Sequence, residues 1–279
     1  MAWKTKPNPN KVSITAHIPK REKKQESSPP KVIPKPVIIP KNFSKGNINM
    51  KLPTYQDHIE VRELDVDGTK GTEEFLKGED QWFWVKDDNG AWDGPNKDWR
   101  NHHKHHYYKY VQKFDTVITA GANLGMYVRF HAKKFNWVYA FEPDPLNFHC
   151  MVINNQRDNV IKLQAALGRE NSFCKVNNNG RGNRGAFSIN IPNSKLDSGG
   201  AVIPVFAIDS LPWDTVDLIQ LDVEGFEINV LHGAKETIKK FQPVVIAENG
   251  HKEDIKKLMD TLKYKEAGRT VSDTVFIPK

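Results

Sequence analysis

This chain of 279 residues is short of cysteine, of long apolar runs and, over its first fifty-one positions, of acidic and aromatic residues. Its two cysteines, Cys150 and Cys174, are too few for a disulfide framework, so a reducing compartment is expected. No apolar run reaches the length a bilayer demands, so no membrane span is expected. The opening Met1-Ala2-Trp3-Lys4-Thr5-Lys6-Pro7 has no apolar h-region of a secretory signal. A soluble, cytoplasmic protein is the expectation from these absences. Hydrophobic residues make up 38% and mean hydropathy is −0.63, both low for a chain that packs along its whole length.

Charge and proline locate the unpacked part. Residues 1–51 hold 12 Lys/Arg against 2 Asp/Glu, and eight of the seventeen prolines. The rest holds 29 basic and 32 acidic residues, so the overall +7 belongs to the tail. Pro29-Pro30-Lys31-Val32-Ile33-Pro34-Lys35-Pro36 cannot sustain a helix, because each proline removes a donor and restricts its predecessor. Residues 1–51 read as a disordered basic tail, a solubilising linker before it is an arm for nucleic acid. Residues 52–113 read as an aromatic-rich extension. Gln81 to Lys86 reads as a strand and Asp87 to Gly90 as a turn, together a small hairpin capping the core. Its tryptophans would either fill a mini-core or face a carbohydrate. A helix is expected over 98–113. It carries His102, His103, His105 and His106, for which a structural or surface role stands ahead of a metal site.

From Phe114 to Lys279 apolar strands alternate with helical stretches. The strands are Thr116–Ala120, Trp137–Phe141, Ile161–Ala165, Val216–Leu221 and Val244–Ala247. The helices include Leu124–Lys134, Pro145–Gln156 and Glu227–Phe241, and the chain closes with a hairpin around Gly268. This predicts an α/β fold: a doubly wound, mostly parallel sheet with a reversed C-terminal hairpin strand. Residues 171–210 lack regularity, and Asn177 to Gly185 must be a loop.

Three polar loops follow buried strands. They are Gly121-Ala122-Asn123-Leu124-Gly125, Phe141-Glu142-Pro143-Asp144, and Leu221-Asp222-Val223-Glu224-Gly225-Phe226-Glu227. In an open α/β sheet such loops converge at the carboxyl ends of the strands. Gly121 permits a sharp turn and a close backbone approach, and the helix after it would aim free N–H groups at a ligand. Glu142 ends the second strand, 21 residues after Gly121, where a carboxylate reaches the vicinal hydroxyls of a ribose. Gln164 ends the third, beside the place of an adenine. Asp144 and Pro145 suit the N-cap and first position of a helix. Asp209 suits a helix or turn cap, and Cys150 the core.

In order and spacing the three motifs resemble the FkbM family of S-adenosylmethionine (SAM)-dependent methyltransferases, over about Phe114 to Lys279. Two positions depart from the family pattern: Thr119 stands where an acidic residue is usual, and Gln220 where a lysine is usual. The resemblance implies a class I, Rossmann-like methyltransferase with SAM as cofactor, which transfers a methyl group to a saccharide or small-metabolite hydroxyl. Gly121, Ala122, Asn123, Gly125, Glu142 and Gln164 would then hold the cofactor, with the glycine turn facing its methionine carboxylate. Asp222 and Glu224 would serve the reacting centre. Asp222, Glu224 and Glu248 contain the oxygens a divalent cation takes, with His251 completing a polar wall; nothing in the spacing requires a metal and none is predicted. Two alternatives remain open: a methyltransferase fold without catalysis that serves as a binding module, and a nucleic-acid methyltransferase that uses the basic tail.

Overall fold

The computed structural model describes residues 59–63, 81–86, 106–177, 188–190, 202–248, 252–269 and 272–279. The basic tail, residues 178–187, Trp92, Trp99, His102, His103, His105 and His251 lie outside them.

The main element is a seven-stranded sheet. β1 (Ile59–Glu63) and β2 (Gln81–Val85) precede it in the chain. The sheet itself holds β3 (Thr116–Ala120), β4 (Trp137–Phe141), β5 (Val160–Leu163), β10 (Leu218–Leu221), β11 (Val244–Glu248), β12 (Tyr264–Arg269) and β13 (Asp273–Pro278). Its order is β12-β13-β11-β10-β3-β4-β5, parallel except that β13 runs against both its neighbours. The chain order reverses between β3 and β10, so the crevice of the fold opens above their carboxyl ends.

β3 and β10 are buried at every position, because both faces of the sheet are covered. On one face Ile118, Ile219, Val245 and Phe276 pack against α3 (Glu227–His232), α4 (Lys235–Phe241) and α5 (Lys252–Thr261). On the other Val117, Leu218, Ile246 and Val275 pack against a 3₁₀ turn (His106–Tyr110), α1 (Met126–Ala132) and α2 (Pro145–Asn154). The fold class expected from the sequence is the one found. Asp144 caps α2 by accepting from the Leu146 and Asn147 N–H groups, and Cys150 is buried, both as expected.

Four expectations are corrected. The expected helix over 98–113 is, in its described part, only the 3₁₀ turn. The third strand ends at Leu163, not Ala165, because the chain leaves the sheet there. Ala166–Leu167 (β6) instead joins Ser172–Asn177 (β7), Ser188–Asn190 (β8) and Val202–Phe206 (β9) in a separate four-stranded sheet, in the span that read as irregular. The expected helix over Glu227–Phe241 is two. The Gly233 carbonyl accepts from the Asp209 N–H at 2.8 Å, and a Cβ on Gly233 would lie 2.0 Å from the Gly168 carbonyl oxygen. Asp209 then caps α4, its oxygens accepting from the Glu236 and Thr237 N–H groups.

The fourth correction concerns the aromatic extension. β2 pairs antiparallel with the upstream β1, with Ile59 opposite Val85, while the expected turn at Asp87–Gly90 lies outside the described residues. Trp82 and Trp84 are buried with Leu124, Phe130 and Cys150, so they fill a core and present no sugar-stacking face. Asn154 clips this hairpin down. Its Nδ2 donates to the Phe83 and Leu124 carbonyls at 3.0 Å each, and its Oδ1 accepts from the Phe83 N–H at 2.9 Å. Arg129 lies over the Trp82 ring and donates to the Asn154 carbonyl. Asn154→Ala is expected to cost about 3 kcal/mol, since it strands buried backbone groups without partners. A thermal melt measures it, and an unchanged midpoint would disprove the clip.

Candidate functional site

The sheet register brings the first and third loops into contact. The Asp222 N–H donates to the Ala120 carbonyl at 3.1 Å, continuing the β3–β10 ladder past its last pair. Gly121 then turns at φ +73°, and a Cβ there would lie 1.7 Å from the Asp222 carbonyl oxygen. Only glycine allows both the turn and this approach. Asn123 (φ 50°) and Gly125 (φ 87°) continue the left-handed path, and Glu224 (φ 50°) and Gly225 (φ 90°) repeat it across the crevice.

The second loop is tied to the first. Glu142 is 4% exposed; its Oε2 accepts from the Asn123 N–H at 2.7 Å and its Oε1 from the Asp144 N–H at 2.9 Å. Burial lifts its carboxyl from the usual range to about 8, although those two N–H groups pull it down. Gly121, Asn123, Glu142 and Asp222 are thus brought together. Ala122 packs in the core beside Val128, and Gly125 fits against Met151 and Asn155, so these two shape the turn. Gln164 is exposed just beyond β5, and Glu224 is exposed at the mouth.

The glycine loop spends its own N–H groups within the fold. The Gly121 and Ala122 N–H groups both donate to the Phe141 carbonyl, Gly125 to Ala122, and Asn123 to Glu142. Helix α1 starts only at Met126. What this loop offers instead is an acceptor: Asn123 Oδ1 is buried without a hydrogen-bond partner.

The two positions that depart from the family pattern lie together beneath the site. Thr119 and Gln220 are register partners on β3 and β10, 2% and 4% exposed. Gln220 Oε1 is 2.6 Å from His131 Nε2, and Tyr108 Oη is 2.8 Å from His131 Nδ1. Burial holds the imidazole down to about 4, so it is neutral at physiological pH. Gln220 therefore belongs to the packing of α1 and the 3₁₀ turn, and its amide does not face a reacting centre.

Asp222 is half-buried, and its carboxyl is raised well above the usual range. Burial is the main cause, followed by the charges of Glu248, Asp273, Glu224 and Glu227. Glu248 rises to about 7 by burial and the same repulsion. Glu227 is fully buried. Its Oε1 accepts from the Val223 and Gly225 N–H groups at 3.2 Å each, holding the loop shut. Among the described residues no three His, Cys, Asp or Glu side chains come together as a metal site. Asp273 escaped the sequence reading. For Asp273 a signal existed: a reversed last strand starts level with the ends of its neighbours.

The family model of the methyltransferase FkbM domain matches residues 119–270, more than half of the chain. Among solved structures, the methyltransferase FkbM of Methylobacillus flagellatus KT is 17% identical, with a TM-score of 0.40; the match covers 63% of this chain and 51% of that one. This chain therefore spans about half the length of that protein. A SAM-dependent methyltransferase from Aquifex aeolicus is 14% identical with a TM-score of 0.36, over 62% of this chain and 87% of that one. A precorrin-6y C5,15-methyltransferase from Geobacter metallireducens is 13% identical with a TM-score of 0.34, over 61% and 83%. No curated protein matches the sequence.

Proposed function

The chain belongs to the FkbM methyltransferase family, and from that premise we propose that it methylates a hydroxyl of a saccharide or other small metabolite, with SAM as donor. The observation that supports this most is the backbone contact of Gly121 with Asp222, beside a buried Glu142. The residues fit such a cofactor. Gly121 lets the first loop lie against the Asp222 backbone, Asn123 Oδ1 is an unsatisfied acceptor for an ammonium, and Glu142 keeps acceptor capacity for ribose hydroxyls.

When bound, SAM would supply a methyl group from its sulfonium sulfur to the hydroxyl oxygen, the C–S electron pair staying on sulfur, and the hydroxyl proton would have to leave. The protein has to align the hydroxyl and receive that proton. Asp222 stands at the crevice floor, where burial and neighbouring carboxylates make it a stronger base than a free aspartate. Glu224, at the mouth, orients the acceptor. Thr119 and Gln220 lend no support to a non-catalytic binding module, because both are buried in the packing below the crevice.

The test is calorimetric titration with SAM. Glu142→Ala is expected to weaken binding by about 1.5–3 kcal/mol, the scale of hydrogen bonds to a charged group. Stability should change less, since the mutation removes the burial penalty of a carboxylate along with its bonds. Undiminished SAM affinity in Glu142→Ala would remove the ribose assignment, and absent binding by the wild type would remove the enzyme reading.

A further inference from the structure

Thr119 and Gln220 are polar side chains in an apolar layer. From β4 to β13 the register at their level reads Ala140, Thr119, Gln220, Ile246 and Val275. Two residues below, it reads Val138, Val117, Leu218 and Val244. Two residues above stand Gly121, Asp222, Glu248 and Asp273, on the same face and about 7 Å further along the strands. The polar pair therefore lies directly beneath the crevice floor.

Packing does not explain it. Thr119 Oγ1 is buried and makes no hydrogen bond, a cost that a valine of the same shape would avoid. Gln220 is held from α1. To reach Gln220 Oε1, the neutral His131 imidazole must carry its hydrogen on Nε2, so its Nδ1 accepts from the Tyr108 hydroxyl. Every member of this chain of side chains is neutral, as is every member of the layer.

The family pattern has an acidic residue at the position of Thr119 and a lysine at that of Gln220. The structure makes these two positions register partners, about 5 Å apart on adjacent strands. An acid and a lysine set there form a cross-strand ion pair in a buried layer. Either charge alone would be buried without a counter-charge, which is strongly destabilising. Here both are absent together, so the net charge of the layer is the same. The difference reaches Asp222, because a lysine ammonium beneath the floor would oppose the negative field above it. The charges that act most on Asp222 are instead those of Glu248 from β11, Asp273 from β13, Glu224 from its own loop and Glu227 from α3.

We propose that Thr119 and Gln220 are one coupled exchange of a cross-strand ion pair for a neutral pair, and that Gln220, fixed by His131, is a positioning residue that leaves the Asp222 carboxylate with no cation beneath it. It acts on the reaction through Asp222 and touches no substrate. The inference rests on the methyltransferase reading above for the role of Asp222 as base, and deepens that reading.

The test is thermal melting of the full chain without cofactor. At pH 7, Thr119→Asp and Gln220→Lys should each lower the midpoint by about 10 °C or more, and the double variant should return to within about 5 °C of the wild type. Single variants that melt like the wild type, a double variant that adds the two losses, or one that does not fold overturn the exchange. Asp222→Asn then reads the floor. Burial first, then the four carboxylates, raise the Asp222 carboxyl in the fold, so its neutral form contributes stability below about pH 4 that is lost as pH rises. In the wild-type background the midpoint gained by Asp222→Asn should therefore grow by a few degrees between about pH 5 and pH 8. In the double variant the new lysine shares the strand of Asp222, and that growth should shrink by about half or more. Unchanged growth overturns the role of Gln220 toward Asp222. None of these readouts needs SAM, so absent SAM binding removes the methyltransferase reading, whereas a failed recovery in the double variant removes only this inference.

Discussion

Asp222→Asn is expected to lower methyl transfer by about 10²–10⁴ while the protein stays folded and binds SAM. Asparagine keeps the size and the acceptor oxygen of the side chain, so it can still touch a hydroxyl. It cannot take the proton. The electrostatics make the outcome doubly informative. Burial and four neighbouring carboxylates oppose the Asp222 charge. Neutralising it therefore relieves repulsion, and the thermal midpoint should rise by a few degrees. Lower turnover with higher stability is the signature of a group kept for chemistry at a cost to the fold. The measurement is transfer from labelled SAM across a panel of saccharides, with SAM affinity followed by calorimetry and stability by melting. Turnover equal to the wild type would take Asp222 out of the mechanism. A fall in SAM affinity equal to the fall in turnover would make it a cofactor residue.

The second large effect is expected at Gly121. Gly121→Ala places a Cβ 1.7 Å from the Asp222 carbonyl oxygen and 2.8 Å from its carbonyl carbon, at φ +73°. Both atoms are backbone, so no side chain can swing aside. The β3–α1 and β10–α3 loops must part, breaking the Asp222 to Ala120 hydrogen bond on which the crevice floor depends. Destabilisation of about 3 kcal/mol or more is expected, together with loss of SAM affinity of at least about 100-fold. Gly268→Ala is the control. Its Cβ would approach the Tyr110 side chain, the hydroxyl nearest at 3.2 Å, with no left-handed backbone to strain. That variant should stay within about 1 kcal/mol of the wild type. Equal SAM binding by Gly121→Ala and the wild type would show that the two loops are not one site.

Much of this was legible along the chain. The runs Thr116–Ala120, Trp137–Phe141 and Val244–Ala247 are apolar enough that only a doubly covered parallel sheet suits them, and strands lie there, the last one residue longer. Asp144 before Pro145 marks a helix start by local chemistry alone. Glycines at 121, 125 and 225 mark turns because their backbone is left-handed. The short second sheet was not legible. Its strands are brief, and their pairing depends on contacts between segments some thirty residues apart, such as Cys174 with Ile203. Nor were the partners of the tryptophans: Trp82 and Trp84 are as apolar facing a core as facing a sugar, and only the Asn154 clip decides between them.

The strand–helix alternation, the order of the three loops and the residue types that converge follow from periodicity and local backbone preference along the chain. The tertiary structure decided what those residues face. It turned Gln220 and Thr119 into core partners, spent the N–H groups of the glycine loop within the fold, and set Asp273 level with Glu248 and Asp222. Each of these depends on register between strands distant in the chain. Register is fixed by burying two faces at once, a condition that no local stretch of sequence contains.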